Sequence, residues 1–343
     1  MSLTVKSLNG DTAFLLSFSP PVASIAPFTI LIDPWLVGPA TILSSVFSIS
    51  EQTTKPCISS LQELVQEPDI ILISQDKPDH CHEETLRQLP KDCRSTILAI
   101  PSAARKIRSW KHFRPELVRA LPKFVEDESQ SIYRQEIPPV SSRASCGEVT
   151  LSWMPARRDV SGLHHAIGIT YRPPGGVELP PSPPASPRSY QTGSSSSRTI
   201  ASSPSNGREQ TLSVIYSPHG VSYDIIRPYA TSHLMMEAAL PLTALIHSFD
   251  RVENPWYMGG NISAGLPGGL VIAKSLYAQA WISAHDADKN NRGLSVKQTR
   301  IGKYAMHEIK KKLFENEGGR RKSIEPTALV ALTSGEEHRI GRG

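Results

Sequence analysis

Two short apolar runs open the chain, at residues 13–18 and 28–32, separated by a proline-containing turn and closed by Asp33-Pro34. They predict a hairpin at the start of a sheet. After Glu67-Pro68-Asp69 comes Ile70-Ile71-Leu72-Ile73, a continuous and largely β-branched run of the kind found in strands buried on both faces. Residues 96–100 predict a second such strand. Helices are expected from Glu83 to Leu89 and from Ser102 to Trp110, where Ala103, Ala104, Ile107 and Trp110 recur at helical spacing. Alternation of strand and helix is an α/β pattern. Further strands are predicted at 148–153, 165–171, 212–216 and 244–246, with 279–283 as the last. Helices are predicted at 270–278 and, with a basic face, at 301–314.

Composition changes this picture in one place. The 343 residues are 39% hydrophobic and 20% charged, a globular balance, but 29 prolines are too many for it. They concentrate with serine and glycine between Pro173 and Gln210, a stretch too polar to offset its ordering entropy. The expected organisation is one domain over residues 1–314, interrupted by a disordered insertion at 173–210 and followed by a flexible basic tail at 315–343. No apolar run reaches the roughly 18 residues of a membrane span, and Lys6, Asn9 and Asp11 interrupt the N-terminal apolar stretch, so a soluble, cytoplasmic protein is expected. The 4 cysteines contain no CxxC pair, which fits neither a disulfide framework nor a thiolate zinc site. The net charge of +5 is dispersed apart from Lys310–Lys312 and Arg320–Lys322, read as a solvated helix face and tail. The expected partner is a small-molecule substrate, with no nucleic acid and no membrane; nothing indicates an oligomeric state.

The segment from Ser74 to His82 follows a buried strand directly, where α/β sheets place their sites. It contains Asp79, His80 and His82, and a carboxylate with imidazoles in one short loop suits a borderline divalent ion such as zinc. Capping of the helix that begins near Glu83 accounts for the same residues, so both readings stand. His219, His247 and His285 each lie shortly after a predicted strand. One such histidine is ordinarily structural; several after successive strands point to a shared site.

With the opening hairpin ending in Ile32-Asp33-Pro34, the loop ending Asp79-His80, and strands ending near His219 and His285, the chain resembles the metallo-β-lactamase superfamily, in a divergent lactonase-like branch of fungal and plant proteins. The resemblance implies a four-layer αβ/βα sandwich. The family's loop reads His-x-His-x-Asp-His; here Gln75 and Lys77 occupy the histidine positions while Asp79 and His80 match. His285 matches the last metal histidine and His219 stands where the family has a bridging aspartate. One site of Asp79, His80, His219 and His285 is therefore expected to survive. It would hold one divalent metal, zinc first, with manganese or iron as alternatives. Arg157 and Arg158 follow the strand after which the family places another ligand histidine. His164 and His165 lie close by and are read as structural or substrate-facing. Asp33 is expected to accept a hydrogen bond from a ligand histidine.

The activity the resemblance implies is metal-dependent hydrolysis of an ester, lactone, thioester or phosphoester through a mononuclear metal-bound water. Asp79 or His82 would move the proton, and Lys77 would stabilise developing negative charge. The rival reading, supported by the altered Gln75 and Lys77, is a catalytically degenerate binding or scaffolding protein on the same fold.

Overall fold

Alternation of side chains across each strand sets the architecture, seen in a computed structural model that describes residues 1–22, 25–42, 46–142, 144–159, 161–175, 211–258, 260–293, 296–315 and 327–341. Strand β1 (Ser2–Ser7) turns Leu3 and Val5 into the core and pairs antiparallel with β2 (Phe14–Ser19), which pairs in turn with β3 (Phe28–Ile32). The predicted hairpin is therefore present, and β1 precedes it. Two short strands, β4 (Ala40–Ile42) and β5 (Ser48–Gln52), leave the sheet before β6 (Ile70–Ile73), β7 (Thr96–Ala99) and β8 (Val118–Ala120) extend it in parallel to β3. Helices α1 (Glu83–Leu86) and α2 (Pro101–Ser109) follow β6 and β7, and Leu86, Ala103, Ala104 and Ile107 are buried.

A second sheet begins with the antiparallel strands β9 (Tyr133–Ile137), β10 (Gly147–Pro155), β11 (His165–Arg172) and β12 (Leu212–Ser217). Helix α3 (Tyr223–Tyr229) leads to β13 (Ala244–His247), parallel to β12. A small side sheet of β14 (Arg251–Glu253) and β15 (Asn261–Ser263) precedes helix α4 (Gly265–Ser275) and strand β16 (Ala280–Ile282). Strand β17 (Lys289–Arg292) pairs with β5, and β18 (Arg300–Gly302) with β14. Helix α5 (Met306–Phe314) and strands β19 (Ala328–Val330) and β20 (Glu337–Gly341) end the described chain.

The main sheets run β20-β1-β2-β3-β6-β7-β8 and β19-β16-β13-β12-β11-β10-β9. Their period-two pattern separates two cores. Val214, Tyr216, Ile246 and Ile282 face the first sheet, while Ile215, Leu245 and Trp281, one residue out of phase, face Ile226, Tyr229, Leu266, Ile272 and Ile309 on α3, α4 and α5. Helices thus cover both outer faces, giving the four-layer αβ/βα sandwich.

Several expectations are corrected. The last strand is not 279–283: β19 adds parallel to β16, with the Ser283 amide donating to the Val330 carbonyl at 2.8 Å, and β20 adds to β1. Part of the expected flexible tail, residues 328–341, therefore closes an edge of each sheet. These strands escape a periodicity reading because β19 has three residues and β20 is a polar edge with Ile340 alone buried. The helix expected at 301–314 begins only at Met306, since Arg300–Gly302 is drawn into the side sheet. Helix α4 starts five residues early, at Gly265. Of the insertion 173–210, residues 176–210 lie outside the described residues.

Gly269 shows why α4 tolerates glycine. A Cβ at this position would collide with the indole of Trp281, a fully buried side chain whose Nε1–H donates to the His247 carbonyl at 3.1 Å. Gly269→Ala is expected to cost about 1–3 kcal/mol through overpacking, despite alanine's higher helix propensity, as a lowered midpoint in urea unfolding.

Candidate metal centre

The parallel strands bring their C-terminal ends to one rim, and the residues just beyond them converge. Asp33 follows β3 in the left-handed region at φ 43°, tolerable for a short polar side chain, and is completely buried. Its carboxylate accepts four hydrogen bonds: from the Ser74 amide at 2.7 Å, the Ser74 hydroxyl at 2.5 Å, the Tyr216 hydroxyl at 2.7 Å and His80 Nδ1 at 2.8 Å. Strand β6, strand β12 and the 74–82 loop are thereby fastened to one anion. The acceptor role expected for Asp33 is the one it holds.

With Nδ1 on Asp33, His80 turns Nε2 towards His219 Nε2, 3.1 Å away. His219 in turn has its Nδ1 on the Ile262 carbonyl at 3.0 Å, which demands Nδ1–H and leaves a lone pair on Nε2. Two imidazole nitrogens so oriented repel unless a proton or a cation lies between them. His285 Nε2 sits 3.2 Å from Asp79 Oδ2, and His80 Nε2 lies 3.8 Å from the same oxygen. The ligand atoms of His80, His219 and His285 all fall within 4.8 Å of one another. Asp79 Oδ1 is buried without a hydrogen-bond partner. Three imidazoles gathered this closely, with a carboxylate beside two of them, fit a divalent cation of the zinc type.

Electrostatics agree with the geometry. Burial pushes the Asp79 carboxyl up, but His80, His285 and Lys289 outweigh it and hold it well below the usual carboxylate range. Burial, reinforced by His285 and His80, keeps His219 well below the ordinary histidine value, so it is neutral and ligand-competent. For His80, burial is outweighed by the Asp79 and Asp33 carboxylates, which raise it. A proton between His80 and His219 is what a metal ion would displace.

The cluster opens into a cavity of about 540 Å³ whose wall includes Gln75, Lys77, Asp79, His219, His285 and Lys289. Lys77 is on this wall but part-exposed, with Nζ 3.4 Å from Asp76 Oδ1. Gln75 donates to the Leu163 carbonyl at 3.2 Å. His82 stands apart from the cluster: its Nδ1 accepts from the Thr85 amide at 3.3 Å, capping α1. The capping reading of the loop is realised by His82, while Asp79 and His80 converge with His285 and His219. His247 is buried behind α4, with Nδ1 on the Ser248 carbonyl. His165 is buried, and burial pushes it down to about 4.

Sequence reasoning missed the residues that brace the last histidine. His285 lies at φ 65°, a conformation held from outside: its amide donates to the Asp11 carbonyl at 3.1 Å. The Asp11 carboxylate pairs with Lys289 Nζ at 2.7 Å, and Thr12 donates to the Asp79 carbonyl at 3.2 Å. Lys289 itself reaches 3.4 Å from His285 Nε2 with a side chain only 8% exposed. The signal available was the polar turn Asn9-Gly10-Asp11-Thr12 within an apolar N-terminus.

Comparison with known proteins agrees with the fold. Residues 22–151 match the family model of the beta-lactamase superfamily domain, a span that includes Asp33, Asp79 and His80. Over that span, somewhat more than a third of the chain, the sequence is similar to this superfamily. No curated protein matches the chain in sequence. Among solved structures, an isothiocyanate hydrolase from Delia radicum gut bacteria aligns over 99% of this chain and 100% of its own at 13% identity, with a TM-score of 0.52. A metallo hydrolase from the hyperthermophilic archaeon Ignicoccus hospitalis covers 100% of both chains at 12% identity and a TM-score of 0.49. A diiron β-hydroxylase from Streptomyces venezuelae covers 98% of this chain and 54% of its own at 12% identity and a TM-score of 0.48. At such identities the likeness is one of fold. Among the described residues, no helix is long and apolar enough to cross a membrane.

Proposed function

We propose that this protein is a metal-dependent hydrolase of a small-molecule ester, lactone, thioester or phosphoester, using one divalent cation, most simply zinc, held by Asp79, His80, His219 and His285. The observation that carries this reading is the 3.1 Å approach of the His80 and His219 Nε2 atoms, each with its Nδ1 engaged on an oxygen behind it. Held there, a divalent cation supplies Lewis-acid polarisation of a carbonyl or phosphoryl oxygen and acidifies water towards neutral pH. The chain's own groups do the rest. Asp79, whose Oδ1 is buried and unpartnered, would take the proton of the attacking nucleophile. Lys77 on the cavity wall and Lys289 beside His285 offer positive charge where an oxyanion would develop. His82 keeps the loop in place through its cap on α1.

The binding-module reading has one observation in its favour: the Lys289 ammonium, 3.4 Å from His285 Nε2, brings a fixed positive charge to the cluster without any metal. Elemental analysis of purified protein separates the two. Close to one zinc, manganese or iron per chain is expected, falling to near zero in the double variant His219→Ala, His285→Ala. A wild-type protein that stays folded and refuses all three ions on reloading would leave the binding-module reading standing.

A further inference from the structure

A second cavity, about 950 Å³, backs onto the first and has no part in the chemistry above. Its wall includes Arg157, Arg158, Trp256 and Tyr257. Among the described residues neither guanidinium has an ion-pair partner. The one carboxylate on this wall, Asp159, is already taken: it accepts from the Ser161 amide at 2.9 Å, the Ser161 hydroxyl at 2.5 Å and the His164 amide at 2.7 Å. Trp256, 87% exposed, and Tyr257, 61% exposed, present aromatic faces that a soluble protein ordinarily covers.

Sequence neighbours line the two cavities. Leu163 faces the metal cavity and His164 the other; His219 faces the metal cavity and Gly220 the other; Ile262 faces the metal cavity and Asn261 the other. The His164 ring ties these segments together, with Nδ1 3.0 Å from the Gly220 carbonyl and Nε2 2.9 Å from the Asn261 carbonyl. Tyr257 belongs to both walls. A ligand lying across Tyr257 would therefore touch both walls, the one with the guanidinium groups and the one with the histidine cluster.

We infer that the second cavity is the anion-binding arm of the substrate site. The substrate is then an organic anion: Arg157 and Arg158 take its phosphate or carboxylate, its apolar or aromatic body rests on Trp256 and Tyr257, and its labile bond lies at the cluster. Guanidinium groups suit this because they hold either anion through paired hydrogen bonds. The position of the labile bond rests on the hydrolase reading; anion binding does not.

Equilibrium dialysis of the full chain with phenyl phosphate, benzoate and uncharged benzyl alcohol tests the inference. One or both anions should bind, more weakly as salt rises, and the alcohol should not; the two anion arms distinguish a phosphate from a carboxylate ligand. In Arg157→Ala, Arg158→Ala, both exposed and remote from the core, anion binding should weaken by about tenfold or more. Trp256→Ala should weaken it by roughly fivefold, while metal content stays at the wild-type value in both variants. Binding should persist in His219→Ala, His285→Ala, which separates failure of the arm from failure of the metal site. Undiminished anion binding in the arginine variant, binding of the neutral alcohol as tight as that of the anions, or loss of all binding with the two histidines would overturn the inference.

Discussion

Asp33→Ala is expected to unfold this protein more readily than any substitution among the clustered side chains of Asp79, His80, His219 and His285. The carboxylate is the common acceptor for the Ser74 amide and hydroxyl, the Tyr216 hydroxyl and His80 Nδ1, all in a region without solvent access. Removing one side of a buried, hydrogen-bonded charge pair costs about 3–5 kcal/mol, because the donors left behind cannot recover their hydration. Alanine adds strain at φ 43°, which aspartate and asparagine accept more readily. Asp33→Asn separates folding from metal binding. The amide keeps the size and the backbone preference but presents one oxygen where the carboxylate had two, and its NH₂ opposes the donors facing it. The ring of His80 then loses the partner that fixes its tautomer and orientation. Metal affinity should fall by roughly 10–100-fold, measured by competition with a chelator, while the unfolding midpoint drops less than in Asp33→Ala. Unchanged metal affinity in Asp33→Asn would mean that His80 is oriented by its loop alone.

That one buried carboxylate can govern the site explains what the sequence disclosed and what it concealed. The elements carrying the histidines were legible because each strand is a run of apolar residues whose burial is decided locally: β3, β6, β12, β13 and β16 all coincide with predicted runs. Parallel strands put their C-terminal ends on one rim, so residues shortly beyond those ends, such as His219 and His285, could be read as neighbours without any knowledge of distance. The bracing of the site was concealed because it depends on pairs far apart in the chain. Lys289 and Asp11 meet because β17 crosses to β5 while the turn before β2 folds over His285. No local pattern marks either. Motif position singles out Lys77, which lines the cavity; Lys289, whose Nζ lies 3.4 Å from His285 Nε2, sits on a strand too polar to be recognised as one. The closing strands β19 and β20 were illegible for a related reason, since an edge strand buries too little apolar surface to leave a periodic signature.

Acid should destabilise the protein through two histidines that stand apart from the cluster of His80, His219 and His285. His233 and His247 lie on the far side of the second sheet, among the residues under α3 and α4. Burial pushes both down to about 4, assisted at His233 by the Arg134 guanidinium and opposed at His247 by its bond to the Ser248 carbonyl. Each is neutral in the folded chain, and the unfolded chain binds protons at its ordinary value near 6.5. Between those values the unfolded state carries more protons, so stability rises with pH; the contribution is complete above about 6.5 and is lost as pH falls towards 4. The loss amounts to roughly 3 kcal/mol per histidine, together a large part of the 5–15 kcal/mol that a domain ordinarily has. Urea unfolding between pH 7.5 and 4.5 should show it, and the double variant His233→Gln, His247→Gln should have a shallower slope by close to two protons over that interval. Glutamine leaves the buried carboxylates untouched, so whatever acid sensitivity remains in the variant belongs to them. A variant whose stability falls with pH as steeply as the wild type would show that both rings are protonated in the folded protein. Thr150, whose hydroxyl lies 2.9 Å from His233 Nε2, would then be accepting that proton's hydrogen bond.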